Sequence, residues 1–250
     1  KQQWHITELP PLPMPLDNLS ATYADGCLYV AGGKGKPQTV PIGQDGSQTA
    51  PTNPLFSLQL TPSLQKEWVR LPDFPGPARI QPVLTAQQSE DGIRLYLAGG
   101  FQPASAHQEA IVCTDMLSYH PKTKQWRNEG FLPSLAGGSH RTVTGGCAIA
   151  SGDSSILLVG GVNYDRFRDA LNHPEPDYLL HPVDWYKFNT SLLQYNTFTK
   201  HWTHLGNYEE LARAGAGIAN NANTVIIIGG ELKPGIRTPE VNAFKLTCHP

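Results

Sequence analysis

Short apolar runs that end in a glycine pair recur four times along this chain of 250 residues. Each run has four apolar residues, which are too few for a helix, and the glycines close it. This pattern predicts strands that are buried on both faces. The first glycines of successive pairs are 67, 61 and 69 residues apart, so one structural unit is repeated. The four copies are Leu28–Gly33, Leu95–Gly100, Ile156–Gly161 and Val225–Gly230.

Three further strand candidates accompany each run. A first strand precedes it, often across an Asp-Gly turn typical of hairpins, as at 25–26 and 91–92. A third strand follows, and a fourth is marked by a tryptophan. The first strands are expected at 20–23, 82–85, 146–149 and 217–219, and the third at 55–58, 116–119, 192–195 and 243–246. The tryptophans are Trp4, Trp68, Trp126 and Trp202.

Four antiparallel strands with a glycine pair after the second and a tryptophan in the fourth resemble the kelch repeat. We therefore predict an all-β fold, a kelch-type β-propeller of four-stranded blades forming a single domain over residues 1–250. The chain begins near a fourth-strand tryptophan, Trp4, and ends after a third strand near Leu246. Either Trp4 completes the last blade of a four-bladed ring, or upstream blades are absent from the chain. We expect the second arrangement, because four-bladed rings are rare.

Composition narrows the function. The formal net charge is −2, which gives no basic surface for nucleic acid or an anionic membrane. No apolar run approaches the roughly 20 residues that cross a bilayer. Cys27 and Cys147 lie in or beside apolar strands and are expected to be buried free thiols rather than disulfides.

Strand parity places two sets of loops at one end of the propeller: those after the glycine pairs and those that link one blade to the next. Loops on a rigid scaffold carry most binding residues, so this end is the expected functional face. It holds Arg79, Arg213, His140 and Asn163, and a long insertion over 163–189. We expect the insertion to be either a solvated charged loop or a lid over a ligand. Its aromatic residues are either the apolar underside of that lid or simple loop packing; they are Trp185, Tyr186 and Phe188.

The fourth copy differs from the other three, because its glycine pair is followed at once by Glu231 and, six residues later, by Arg237. A carboxylate at the end of a buried strand is expected at the mouth of the central channel, partly desolvated, where it suits acid/base work. The turn at Pro234-Gly235 brings Arg237 back beside it, and a guanidinium there can clamp a carboxylate in bidentate fashion. A surface ion pair on a β-turn is the alternative.

The chain resembles the kelch-type N-acetylneuraminate (sialic acid) mutarotases, or epimerases, of bacteria. The segment 230–238, Gly-Glu-Leu-Lys-Pro-Gly-Ile-Arg-Thr, is similar to that family's Gly-Glu-x-Lys-Pro-Gly-x-Arg-Thr. Residues 74–79 resemble its Phe-Pro-Gly-Gly-Pro-Arg, and 160–163 its Gly-Gly-Val-Asn before a covering loop. The chain departs from the family at Gly146-Cys147, where the family has Gly-His; His140 is nearby but out of register, so the roles of His140 and Cys147 stay open.

The resemblance implies a mutarotase that uses no cofactor and no metal, with Glu231 and Arg237 as the catalytic pair. It implies four blades of a six-bladed ring in a cyclically permuted order, and a bacterial periplasmic or exported location. The expected partner is a small sugar acid, not nucleic acid or membrane, and a homodimer stays open. The expected substrate-binding residues are Arg79, Asn163, Arg213 and Lys233.

A kelch scaffold is also compatible with two other functions. A non-catalytic kelch propeller that binds a glycan or a protein would share the scaffold without the chemistry. A copper radical oxidase would need two histidine and two tyrosine ligands with a tyrosine–cysteine crosslink, and the sequence offers no convincing set.

Overall fold

Four antiparallel sheets follow one another along the chain in a computed structural model, which describes residues 6–35, 53–135, 137–221 and 224–245. The strands of each sheet are ordered as in the sequence, so each sheet is a simple meander. Blade 1 contains Ser20–Ala24, Cys27–Ala31, Leu55–Gln59 and Val69–Leu71; blade 2 contains Val83–Ser89, Gly92–Ala98, Asp115–His120 and Gln125–Phe131. Blade 3 contains Cys147–Ser151, Ser155–Val159, Ser191–Asn196 and Trp202–Asn207; blade 4 contains Gly217–Asn221, Thr224–Ile228 and Val241–Lys245.

The predicted all-β propeller is confirmed by this arrangement. The first strands of neighbouring blades contact one another, which places them innermost, around the central axis. Each glycine pair follows a second strand, as predicted. The expected closure of the last blade depends on Trp4 and Leu246. Both lie outside the described residues, so this expectation stays a prediction.

Most of the shorter elements lie in the loops after the glycine pairs. Three are two-stranded ribbons, and the insertion of blade 3 contains the single described α-helix, here called α1. The ribbons pair Leu16–Asp17 with Lys34–Gly35, Phe101–Gln102 with Ile111–Val112, and Glu231–Lys233 with Ile236–Arg237. Helix α1 spans Tyr164–Asn172, and 3₁₀ turns span Tyr178–Leu180, Val183–Tyr186 and Glu209–Leu211. Within the described ranges, no helix is long and apolar enough to cross a membrane.

The core lies between the blades, because alternate residues of each second strand face opposite neighbours. In blade 2, Leu95 and Leu97 pack toward blade 1, whereas Tyr96 and Ala98 pack toward blade 3. The expectation of two buried faces holds for the first three apolar runs and is wrong for the fourth. Ile228, at the end of the fourth run, is 48% exposed, because no described residue covers the face of blade 4 that points away from blade 3.

The glycine pairs are required by the backbone. All eight glycines have positive φ, a conformation that costs an L-residue roughly 1–2 kcal/mol. Space is a second constraint at Gly99: a Cβ there would lie 2.9 Å from the backbone nitrogen of Thr144, in the link that enters blade 3. The pair therefore allows a strand end to approach the neighbouring blade closely.

We expect Gly99→Ala to destabilise the protein more than Gly152→Ala. Gly152 has a similar φ of +56°, against +62° at Gly99, but nothing lies within 4 Å of a Cβ there. Both variants carry the conformational cost, and only Gly99→Ala adds overpacking, which costs about 1–3 kcal/mol. Urea unfolding of the two variants measures the difference. Equal losses of unfolding free energy would contradict the close approach.

Candidate functional site at the propeller axis

The links that enter the four blades form a relay of backbone hydrogen bonds around the axis. Asn18, Gln81, Gly145 and Gly215 each lie two residues before a first strand, and all have φ between +53° and +70°. The amide of Gln81 donates to the carbonyl of Asn18 at 2.9 Å, and that of Gly145 donates to Gln81 at 3.0 Å. The amide of Gly215 donates to Gly145 at 2.7 Å. Each link is thus fixed against the one before it.

A cavity of about 430 Å³ lies beside this relay. Residues from all four links line it, which places it at the axis rather than within one blade. The side chains of Asn18 and Gln81 contribute amide groups, and Gln81 Nε2 donates to Asn18 Oδ1 at 3.3 Å. The remaining lining residues are Leu19, Ser20, Pro82, Gly145, Gly146, Ala214, Gly215, Gly230, Glu231 and Arg237.

Glu231 and Arg237 face each other across a short hairpin, as the turn chemistry predicted. Their Cα atoms are direct partners in the ribbon formed by Glu231–Lys233 and Ile236–Arg237. Between the two strands, Pro234 precedes Gly235 at φ +79°, the residue order of a type II turn. Arg237 Nη2 lies 3.0 Å from Glu231 Oε1. The turn therefore places a carboxylate and a guanidinium side by side in the axial cavity.

The two side chains differ in exposure, and this decides what each can do. The side chain of Glu231 is 29% exposed, whereas that of Arg237 is 75% exposed. Arg237 uses one nitrogen on Glu231 and keeps further donors for an anion that enters the cavity. Glu231 is held at the cavity wall with one oxygen paired, so it can exchange a proton with a bound molecule. The arrangement fits acid/base chemistry on a ligand that carries a carboxylate.

The hairpin is fastened to the link that enters blade 4. The amide of Glu231 donates to the carbonyl of Ala214 at 2.7 Å, and the amide of Ala214 donates back at 2.9 Å. Arg213 donates to the carbonyls of Gly229 at 3.2 Å and Glu240 at 3.1 Å, one on each side of the hairpin. It also pairs with the Glu240 carboxylate at 2.8 Å. Arg213 therefore holds both ends of the segment that carries Glu231 and Arg237.

Arg79 occupies in blade 2 the position that Arg213 occupies in blade 4. Both arginines lie four residues before a first strand, and both side chains are almost fully buried. Arg79 donates to the carbonyl of Gly99 at 3.0 Å and to both carboxylate oxygens of Asp115 at 2.8 Å. Neither Arg79 nor Arg213 lines the axial cavity. The structure does not bring these two expected substrate-binding residues to Glu231, because their guanidinium groups are used inside the fold.

The other two expected substrate-binding residues organise the insertion. Asn163 caps helix α1, and its Oδ1 accepts from the amide of Arg166 at 3.0 Å. Lys233 Nζ donates to the carbonyls of Leu179 at 3.0 Å and His181 at 2.5 Å. Neither Asn163 nor Lys233 lines the axial cavity, and their expected contacts with a substrate stay predictions.

The insertion packs across blades 2, 3 and 4. Phe167 of helix α1 makes an edge contact with Phe101 of blade 2, and Asn172 exchanges hydrogen bonds with the backbone of Ala110. Tyr186 and Phe188 are buried beneath it, with Trp185 partly buried beside them. Three charged residues of the helix, Asp165, Arg168 and Asp169, are exposed, whereas the guanidinium of Arg166 lies over the Trp185 ring at 4.5 Å. The aromatic residues are therefore the packed interior of the insertion.

Two residues left open by the sequence now have defined surroundings. Cys147 Sγ donates to the carbonyl of Ala216 at 3.0 Å, and burial raises the pKa of this thiol to about 11. A thiol with that pKa stays protonated near neutral pH. The ring of His140 packs against Tyr164 with centroids 5.1 Å apart. Cys147 is a free, buried thiol as expected, and Cys27 is free and partly buried.

One group of potential metal ligands occurs among the described residues. Glu175, Asp177 and His181, in the insertion, offer ligand atoms within 4.8 Å of one another. The two acids are exposed, and none of the three lines the axial cavity. The expectation that the site uses neither metal nor cofactor stays a prediction.

The fold and the hairpin define a kelch-type β-propeller with a glutamate–arginine pair at its axis. A family model described as NANM, N-acetylneuraminate epimerase, matches residues 9–249, nearly the whole chain. The chain belongs to the N-acetylneuraminate epimerase family.

Curated relatives agree with this assignment, and a solved structure agrees with the fold. A relative named N-acetylneuraminate epimerase from Haemophilus influenzae is 30% identical, over 91% of this chain and 60% of its own length. Another of that name, from Salmonella paratyphi B, is 27% identical over 94% of this chain and 57% of its own. The chain thus spans little more than half the length of these relatives. The solved structure of YjhT, at 23% identity, has a TM-score of 0.70 over 96% of this chain and 67% of its own, which supports the fold.

We expect Arg213→Met to speed amide exchange across residues 229–240, where the amides of Glu231 and Thr238 are hydrogen-bonded. Hydrogen bonds to a charged group contribute about 1.5–3 kcal/mol, so exchange should rise by about tenfold or more. Hydrogen-exchange mass spectrometry measures it. The matched control is Arg79→Met, which should act on the segment around Gly99 instead. Unchanged exchange at 229–240 in Arg213→Met would show that Arg213 does not hold the hairpin.

Proposed function

We propose that this protein interconverts the α and β anomers of N-acetylneuraminate, as the names of its relatives suggest. The observation that carries the proposal is the pairing of Glu231 with Arg237, 3.0 Å apart, in a cavity at the propeller axis. Membership of the epimerase family supports the choice of substrate. The chain spans only part of the length of its relatives, so the activity is proposed for the protein that contains it.

In this proposal, Arg237 binds the carboxylate of the sugar acid through the donors that do not contact Glu231. Glu231 takes the proton of the anomeric hydroxyl and returns it to the ring oxygen as the bond between that oxygen and the anomeric carbon breaks. Rotation of the resulting keto group and reclosure by the reverse proton transfer give the other anomer. No atom is gained or lost, and no redox step is needed. Spontaneous mutarotation is already fairly fast, so a barrier lowered by a few kcal/mol is enough.

The neighbouring groups suit a polar ligand. The amides of Asn18 and Gln81 line the same cavity and can hydrogen-bond sugar hydroxyl groups. Arg213 supports this site from within the fold rather than by touching the sugar, and Arg79 makes the equivalent contacts in blade 2. We further propose an exported, periplasmic location, on the family resemblance alone; the named relatives are bacterial.

We expect Glu231→Gln to lower the catalysed rate of anomer exchange by about a hundredfold or more, the usual contribution of a positioned acid/base group. Glutamine keeps the shape of the side chain and loses its proton exchange. NMR exchange spectroscopy between the two anomers measures the rate above the spontaneous background. Glu210→Gln, at an exposed carboxylate outside the cavity, is the control. A wild-type rate in Glu231→Gln would overturn the assignment and favour a propeller that only binds its ligand.

For Arg237→Lys we expect KM to rise by about tenfold, with a smaller change in kcat. Lysine keeps the charge but cannot form two parallel hydrogen bonds to a carboxylate. A loss shared by bound substrate and transition state appears in KM. Initial rates at several concentrations of N-acetylneuraminate separate the two constants. An unchanged KM would show that Arg237 does not bind the carboxylate.

A further inference from the structure

A second, larger cavity lies under the insertion of blade 3 and away from the axis. Its volume is about 1040 Å³, at the upper end of the range for small-molecule sites. Asp184, Lys187 and Glu209 at its edge are exposed, so the cavity opens to solvent. Its wall combines the outer strands of blade 3, the link that enters that blade, the insertion and Leu232 of blade 4. Neither Glu231 nor Arg237 lines it.

Arg141, in the link that enters blade 3, lines this cavity and is only 6% exposed. Its Nε and Nη1 atoms are buried and have no hydrogen-bond partner within the described part of the chain. None of the ion pairs formed by described residues includes Arg141. Burial also lowers the pKa of its guanidinium. Within the described ranges, this cation at the cavity wall therefore has no carboxylate paired with it.

The other buried arginines show how unusual this is. Arg79, Arg94 and Arg213 are all less than 9% exposed, and each pairs with a carboxylate at 2.8 Å. A buried charge is tolerated when it is paired and hydrogen-bonded, and it is costly otherwise. Arg141 is as deeply buried as these three arginines, but no carboxylate of a described residue pairs with it. An anion supplied from solution would complete the same arrangement.

The surroundings of Arg141 favour an anion. Helix α1 begins at this cavity, with its N-cap Asn163 in the wall, and a helix N-terminus carries positive partial charge. Lys187 adds a second cation at the edge. Two acids, Asp184 and Glu209, also line the cavity; both are exposed, and neither bonds to the unpartnered Nε and Nη1 of Arg141. Polar groups on the outer strands of blade 3, at Ser191, His204 and Asn207, offer partners for hydroxyl groups.

We propose that the cavity beneath the insertion is a second binding site, in which Arg141 binds the carboxylate or phosphate group of a small polar molecule. Because two nitrogens of the guanidinium have no partner among the described residues, Arg141 has hydrogen-bonding capacity left for an oxyanion at the cavity wall. The site is separate from the Glu231–Arg237 pair and does not depend on the proposed activity.

The test is binding of two probes, inorganic phosphate and N-acetylneuraminate, measured by calorimetry in a buffer free of other oxyanions. It uses the whole chain with Arg237→Met in every sample, so that the axial cavity does not contribute. We expect at least one probe to bind, and Arg141→Met to weaken that binding by tenfold or more. Arg168→Met removes an exposed arginine of α1 that is outside the cavity and should leave binding unchanged. Binding of phosphate assigns a phosphate ester, and binding of the sugar acid assigns a carboxylate.

A measurement of thermal stability distinguishes a loss of binding from a loss of folding in the Arg141 variant. Without a ligand, Arg141→Met should melt at the same temperature as the parent or higher, because it removes an unpaired buried charge. A structural arginine would give the opposite result, as we expect for Arg79→Met. The proposal fails if neither probe binds, if Arg141→Met binds as tightly as the parent, or if Arg141→Met melts well below it.

Discussion

The hydrogen-bond relay around the axis is the constraint on which the rest of this structure depends. A positive φ at the same position of each link, from Asn18 to Gly215, turns the amide toward the carbonyl of the preceding link. This conformation is unfavourable for most side chains, and glycine or asparagine adopts it at least cost. Gln81 is the one member of the relay that is neither, and its side chain bonds to Asn18. The relay fixes the blades at the one place where all of them meet.

The relay also positions the axial site, because one residue of the relay is adjacent to the residue that pairs with Glu231. Ala214 is next to Gly215, and its backbone pairs with Glu231 in both directions. Arg213, which directly precedes Ala214, donates hydrogen bonds to carbonyls on both sides of the hairpin base. The backbone that carries the carboxylate is therefore held by backbone contacts and by the buried Arg213, whose partner Glu240 is exposed, while Arg237 contacts the carboxylate itself. Such rigid support is what a positioned acid/base group requires.

The sequence was sufficient to predict the blades and the hairpin, because glycine pairs and a Pro-Gly turn act locally on the backbone. It was insufficient for Arg79 and Arg213, because strand parity places a loop at one end without telling which way a side chain points. A usable signal was present: each arginine occurs in a blade whose third strand starts at or next to an acid, Asp115 or Glu240. Helix α1 did have a local start signal, the N-cap Asn163 followed by Asp165 in the first turn, but its hold on the propeller comes from tertiary contacts such as that of Phe167 with Phe101.

The three kinds of arginine on this face show that burial and partners together decide the role of a charge. Arg213 is buried and pairs with Glu240, so its guanidinium serves to hold the fold together. Arg237 is paired but 75% exposed, so the pair is screened by water and salt, and its remaining donors stay available at the axis. Arg141 is buried and has no carboxylate partner among the described residues, and we propose that an anion from solution pairs with it. One residue type thus serves as a structural clamp and, in our two proposals, as a ligand for an entering substrate and as a preformed anion site.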